Sequence, residues 1–152
     1  MLFRSSQQED VSVQLEALDI LGDLLSRFGG LLIQFHPNLL EALSPQLKSP
    51  RLAVRKRSII ALGHLVMSCD QTLYLKLINM LLDELSNANG GSQCAQNTRT
   101  YIQAIGAVCR QAGHRFGDHV ERVVPMVLRY AQVEDDELRE HCLQVKIGRA
   151  HV

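Results

Sequence analysis

Ile59-Ile60-Ala61-Leu62-Gly63-His64-Leu65-Val66-Met67-Ser68-Cys69 is one of three copies of the same pattern in this chain. The earlier copy is Leu18-Asp19-Ile20-Leu21-Gly22-Asp23-Leu24-Leu25-Ser26-Arg27-Phe28, and the later one is Ile102-Gln103-Ala104-Ile105-Gly106-Ala107-Val108-Cys109-Arg110-Gln111-Ala112. In each copy apolar residues recur three and four apart, the period of one helix face, with a glycine at the same place. Gly22 and Gly63 are 41 residues apart, and Gly63 and Gly106 are 43 apart. A period near forty, with a looser helical stretch between the copies, is the mark of stacked helix pairs. Such units bury their apolar faces only against neighbours, so they build elongated arrays that serve as binding surfaces. The pattern therefore points to an all-α superhelix of about three to four helix-pair repeats, and away from catalysis.

Composition narrows the choice further. The 152 residues are 46% apolar and 21% charged, as in a folded protein, and 16 basic residues balance 16 acidic ones. Net neutrality gives no overall pull toward nucleic acid or an anionic membrane. Aromatics are 5% with no Trp, which argues against a base-stacking platform. No apolar run approaches the roughly 20 residues needed to cross a bilayer. Cys69, Cys94, Cys109 and Cys142 show no Cys-x-x-Cys spacing. Cys69 and Cys109 fall on the apolar stripe, as small hydrophobes. The expectation is a soluble chain with reduced thiols, cytoplasmic and nuclear in location.

Outward from the repeat, the spacing predicts a helix over 11–28, opened by Glu9 and Asp10 and stopped by a left-handed cap at Gly29-Gly30. Pro37 suits the first turn of the next helix, and Pro45 should kink or shorten it. Ser49-Pro50 should open the helix that ends at Cys69. Helices over 72–85 and 98–112 follow, separated by a polar loop over 86–96. The segment 116–132 should be interrupted by Pro125. The acidic run Glu134-Asp135-Asp136-Glu137 starts a fourth copy, Leu138-Arg139-Glu140-His141-Cys142-Leu143, that is cut short. The expected organisation is a disordered or alternative N-terminus over 1–8, a repeat array over 9–146 and a non-native tail over 147–152. That tail, Ile147-Gly148-Arg149-Ala150-His151-Val152, breaks the pattern and matches one reading frame of a common sequencing-library adapter. The array reads as a piece of a longer solenoid.

The glycines at 22, 63 and 106 call for an offset, since Gly within a helix costs about 1 kcal/mol against Ala. Close approach of a neighbouring helix is the natural one. Lys48, Arg51, Arg55, Lys56 and Arg57 cluster at a helix start, where the dipole disfavours cations. They are either a solvated face with internal ion pairs or a grip for an acidic partner; a phosphate backbone is a further option, which would show a steep salt dependence. The acidic run suits a helix N-terminus and could meet Arg99 or Arg139, without the cleft that acid–base chemistry requires. His36, His64, His114, His119, His141 and His151 show no helical pair four apart. No phosphate loop or nucleophile motif is present, so no enzyme, cofactor, metal or small-molecule ligand is expected.

Longer strings add a resemblance. Residues Glu9-Asp10-Val11-Ser12-Val13-Gln14-Leu15-Glu16-Ala17-Leu18-Asp19-Ile20, Ser49-Pro50-Arg51-Leu52-Ala53-Val54-Arg55-Lys56-Arg57, Ala61-Leu62-Gly63-His64-Leu65, Arg110-Gln111-Ala112-Gly113-His114-Arg115 and Asp135-Asp136-Glu137-Leu138-Arg139-Glu140 resemble the N-terminal HEAT repeats of cullin-associated, neddylation-dissociated proteins. The resemblance covers about 8–144. It implies a HEAT/armadillo-type solenoid that wraps an unneddylated cullin and its RING subunit. The implied role is non-enzymatic, the promotion of substrate-receptor exchange in SCF-type cullin-RING ubiquitin ligases. The family's C-terminal part has no counterpart here, so receptor exchange by this chain alone is not expected. Residues 1–6 depart from the family pattern and suggest an alternative start. Among polar positions of the repeated helices, Arg51, Lys56, Arg57 and Arg110 are the expected partner contacts. Arg55 is assigned to the solenoid itself, where HEAT units commonly hold a basic residue. A different HEAT adaptor, of the transport or phosphatase-scaffold type, shares the architecture and would differ in what it binds.

Overall fold

A computed structural model describes residues 2–88 and 94–132. Among the described residues six α-helices run in order: α1 Leu2–Phe28, α2 His36–Leu43, α3 Leu52–Ser68, α4 Gln71–Ser86, α5 Cys94–Ala112 and α6 Val120–Ala131. Short 3-10 segments Gly29–Phe35, Ser44–Lys48 and Gly113–His119 link them. No strand occurs among the described residues. The three copies of the pattern lie in α1, α3 and α5, and α3 packs between the other two. The intervening α2 packs against α3, α4 packs against α5, and α2 and α4 touch one another, which gives the two-layer arrangement of an α-α solenoid.

The apolar core runs along the seam between the layers. Leu62, Leu65 and Val66 of α3 and Leu77, Ile78, Leu81 and Leu82 of α4 are all buried in it. In the central copy every aligned position is buried: Ile59, Leu62, Gly63, Val66 and Cys69. In the outer copies Phe28 and Cys109 are exposed. A position is covered only where a neighbouring repeat supplies a surface, so Cys109 is not the buried hydrophobe its stripe implies. Cys69 is buried, and that burial pushes its thiol up despite the nearby Arg115. Cys94 begins α5 with its side chain outside the described residues, as is all of Cys142.

Several local expectations change in three dimensions. Helix α1 begins at Leu2, well before Val11. Gln and Arg are good helix formers, and no Gly or Pro interrupts 2–10, so the helix propagates through the unpatterned stretch. Glu9 and Asp10 are therefore interior to α1 and do not cap it. Gly29 does not adopt a left-handed backbone; the one described glycine that does is Gly113, at φ 61°. Gly29 is needed for space instead, because a Cβ there would run into Ser68 of α3. Its carbonyl is held by Nε2 of the buried His36, at 2.9 Å. Ser49-Pro50 stops short of the cap position. Ser49 and Arg51 are both extended, and α3 starts after them at Leu52. Asp70 starts α4, its carboxylate accepting from the Leu73 N–H at 2.8 Å.

The prolines divide in the same way. Pro37 sits in the first turn of α2, and Pro45 ends that helix in a 3-10 segment. Pro125 lies inside α6 without breaking it, at an exposed position. Helix α5 begins at Cys94, earlier than the 98 expected, which leaves only 89–93 of the polar loop outside the described residues. The acidic run 134–137, the fourth copy and the 147–152 tail also lie outside them.

Polar ties join successive repeats. Arg115 donates to the carbonyls of Cys69, at 2.9 Å, and Val66, and so satisfies the end of α3. The same guanidinium lies 4.8 Å from the centre of the Tyr74 ring, against which His119 also packs. Arg122 of α6 reaches Asn79 at 2.8 Å and Asp83 at 3.1 Å on α4.

Candidate partner-binding surface

The basic residues singled out by the sequence go to different places. Arg55 is buried and donates to the Ser49 carbonyl at 2.8 Å, so it clamps the entry into α3. That is the internal role expected of it. Arg57 crosses to α1 and pairs with Asp19 at 2.9 Å, both side chains being partly exposed. Lys48 pairs with Glu84 of α4 at 3.0 Å. Arg51 is exposed at the cap of α3. The mismatch of a basic helix start with the dipole is thus met partly inside the fold, by Asp19 for Arg57.

Lys56 and Arg110 are the pair that the fold brings together. They line an open groove of about 540 Å³ between α3 and α5, with Ile59, Ile60, Ile102, Gln103 and Gly106. Both cations are exposed, and Ile60 keeps 57% of its surface open to solvent. The groove combines an apolar floor with a cation on each wall.

The three aligned glycines have three different surroundings. Only Gly63 faces a neighbouring helix, where a Cβ would sit 3.6 Å from Ala107 Cβ, an ordinary contact. At Gly22 a Cβ would meet nothing within 4 Å. At Gly106 a Cβ would come within 3.2 Å of Arg110 Nη1. Close helix packing therefore accounts for at most Gly63. The missing side chain at Gly106 instead lets the Arg110 guanidinium lie back over the helix surface, along the groove.

Two features of this surface were missed in the sequence. Arg99, Gln103, Gly106 and Arg110 recur four, three and four apart, so they form one stripe of α5. In addition, α3 and α5 contain no acidic residue at all, whereas α1 contains Glu9, Asp10, Glu16, Asp19 and Asp23. A per-helix charge count would have found the segregation that the chain-wide balance conceals. A second hollow, lined by Ile105, Cys109, Phe116, Val123, Val127 and their apolar neighbours, lies between α5 and α6 and has no charged wall.

No group of three or more metal-ligating side chains gathers among the described residues. No described helix is long and apolar enough to cross a membrane. Burial raises the Tyr74 hydroxyl above its ordinary range and pushes Tyr101 up to about 12, the latter with help from Glu84. Both tyrosines belong to the core and carry no site chemistry.

Comparison with known proteins fits this architecture. Residues 11–65 match the HEAT-like repeat family. Cullin-associated NEDD8-dissociated protein 2 of Mus musculus is 55% identical over 139 residues, covering 91% of this chain and 11% of the relative. The protein of the same name from Rattus norvegicus is 54% identical over the same shares. Cullin-associated NEDD8-dissociated protein 1 of Drosophila melanogaster is 51% identical over 138 residues, again 91% of this chain and 11% of the relative. The chain spans about 11% of the length of the curated relatives it matches. The resemblance carried by the quoted strings is borne out, and the chain is an α-helical repeat scaffold.

Proposed function

We propose that these HEAT repeats, which share a sequence family with cullin-associated NEDD8-dissociated proteins, form part of a non-catalytic binding surface for an unneddylated cullin and its RING subunit. The observation that carries this reading is identity above half over nearly the whole chain to proteins named for association with cullins and dissociation from NEDD8. A stacked-helix scaffold with an open basic groove is a suitable support, since extended arrays bind through surface and not through an enclosed pocket. In the complete relatives the same surface would serve the exchange of substrate receptors in SCF-type ligases. The proposal sets the protein in the cytoplasm and nucleus, where its cysteines stay reduced.

The test is a pull-down of the chain, shown to be helical by circular dichroism, against a cullin–RING complex with and without NEDD8. Retention on the unmodified complex alone is the expected result. Equal retention on both forms, or none on either, would overturn the reading.

A further inference from the structure

We infer that the groove between α3 and α5 is a docking site for an acidic protein segment that also carries an apolar side chain. The inference deepens the proposed function, because it names the part of the scaffold that meets a partner and the chemistry recognised there.

The charge pattern supplies the first argument. In a chain of balanced charge, α3 contributes Arg55, Lys56 and Arg57 and α5 contributes Arg99 and Arg110, with no acid on either helix. Arg55 is taken up by the Ser49 carbonyl and Arg57 by Asp19. Lys56 and Arg110 are left facing one groove, without a carboxylate from either helix that forms it. Arg99 is exposed one turn before Gln103 and extends the same positive stripe. A concentration of one charge sign along a groove raises the local concentration of the opposite sign and steers its approach.

The floor supplies the second argument. Ile60, which lines the groove together with the two cations, is 57% exposed. Burying such a side chain against an incoming apolar residue favours binding in proportion to the area covered. A nucleic-acid backbone offers charge but no apolar side chain for this floor, and the described stripe has no aromatic on which a base could stack. An acidic segment with one or two leucine-like residues matches both the walls and the floor. Gly106 is the positioning residue, since its missing side chain lets Arg110 lie over α5.

The test uses the full chain labelled with nitrogen-15 and a synthetic peptide of alternating glutamate and leucine. The expected result is amide shift changes centred on Ile60, Gln103 and Gly106. The Lys56→Glu, Arg110→Glu variant should weaken binding by about tenfold or more, the scale of one desolvated charge pair. Arg27→Glu on α1, a charge reversal outside the groove, should leave it unchanged. A Gly106→Ala variant gives a milder perturbation in case the reversed pair unfolds, and should weaken binding by displacing Arg110. Absence of peptide shifts, their persistence in both groove variants, or groove shifts produced only by an oligonucleotide of equal charge would overturn the inference. A parallel pull-down with the cullin–RING complex separates the two claims. Wild-type retention that survives the groove variants removes the groove and leaves the proposed function. Peptide binding without any cullin retention does the reverse.

Discussion

Helix α3 has two neighbours of the same kind, and its two junctions finish differently at the surface. Toward α1 the apolar stripe is sealed by Arg57 and Asp19, 2.9 Å apart. Toward α5 the stripe is equally apolar, with Gly63 in contact range of Ala107, but its rim is open. There Lys56 and Arg110 flank a groove with no acid supplied by α3 or α5. Stacking alone therefore does not decide whether a repeat junction is closed or available. Helix α1 brings the Asp19 carboxylate to its junction and α5 brings none, and that difference leaves the rim between α3 and α5 positive.

The largest disturbance should come from the buried core of the central helix. Leu62→Ala removes a side chain that is 1% exposed in the central helix, and should cost about 3 kcal/mol, read from the chemical denaturation midpoint. A loss below about 1 kcal/mol would mean that α3 is not the centre of the core.

Next come two glycines that look alike in sequence. Gly29→Ala pushes a methyl into Ser68 and should destabilise by about 1–3 kcal/mol. Gly22→Ala meets open space and should stabilise by about 0.5–1 kcal/mol through helix propensity. Melting temperatures moving in opposite directions would support the distinction; a shared sign would break it.

The ion pair that closes the α1 junction should be worth less. Arg57→Ala is expected to cost under about 1 kcal/mol, since both partners are partly exposed and screened by salt. Exchanging the charges, with Asp19→Arg and Arg57→Asp together, should restore most of that loss relative to either single reversal in a double-mutant cycle.

The smallest effect at neutral pH belongs to Tyr101, which α5 buries beside Glu84. Its hydroxyl titrates at about 12 in the fold against 10.0 in an ordinary setting. The unfolded chain therefore loses this proton first, so the stabilisation is complete below pH 10 and is lost as pH rises toward 12. Tyr101→Phe should flatten the decline in stability between those values, measured by denaturation at successive pH. An unchanged alkaline limb would place the titrating group elsewhere.

Much of this was legible along the chain. The periodicity of 18–28, 59–69 and 102–112 specified the repeated helices, because apolar spacing determines which face needs cover. Pro37 and Pro45 marked the limits of α2 through their fixed backbone and missing N–H. Arg55 was correctly assigned inward, and the family resemblance was carried by contiguous strings. Other features depended on context. Pro125 was tolerated inside α6, Gly29 served space and not a left-handed turn, and the start of α1 ran through residues without an apolar pattern.

The candidate surface shows the same division. Sequence alone determined that Lys56, Arg57 and Arg110 sit on repeated helices, and so within reach of a shared face; Arg51, expected with them, lies just ahead of α3 in extended backbone. Only the tertiary structure decided that Arg57 would meet Asp19 while Lys56 and Arg110 would share a groove over Ile60. Helix periodicity fixes the direction of a side chain relative to its own axis, whereas the partner it meets depends on how neighbouring helices, 41 and 43 residues away along the chain, are packed beside it.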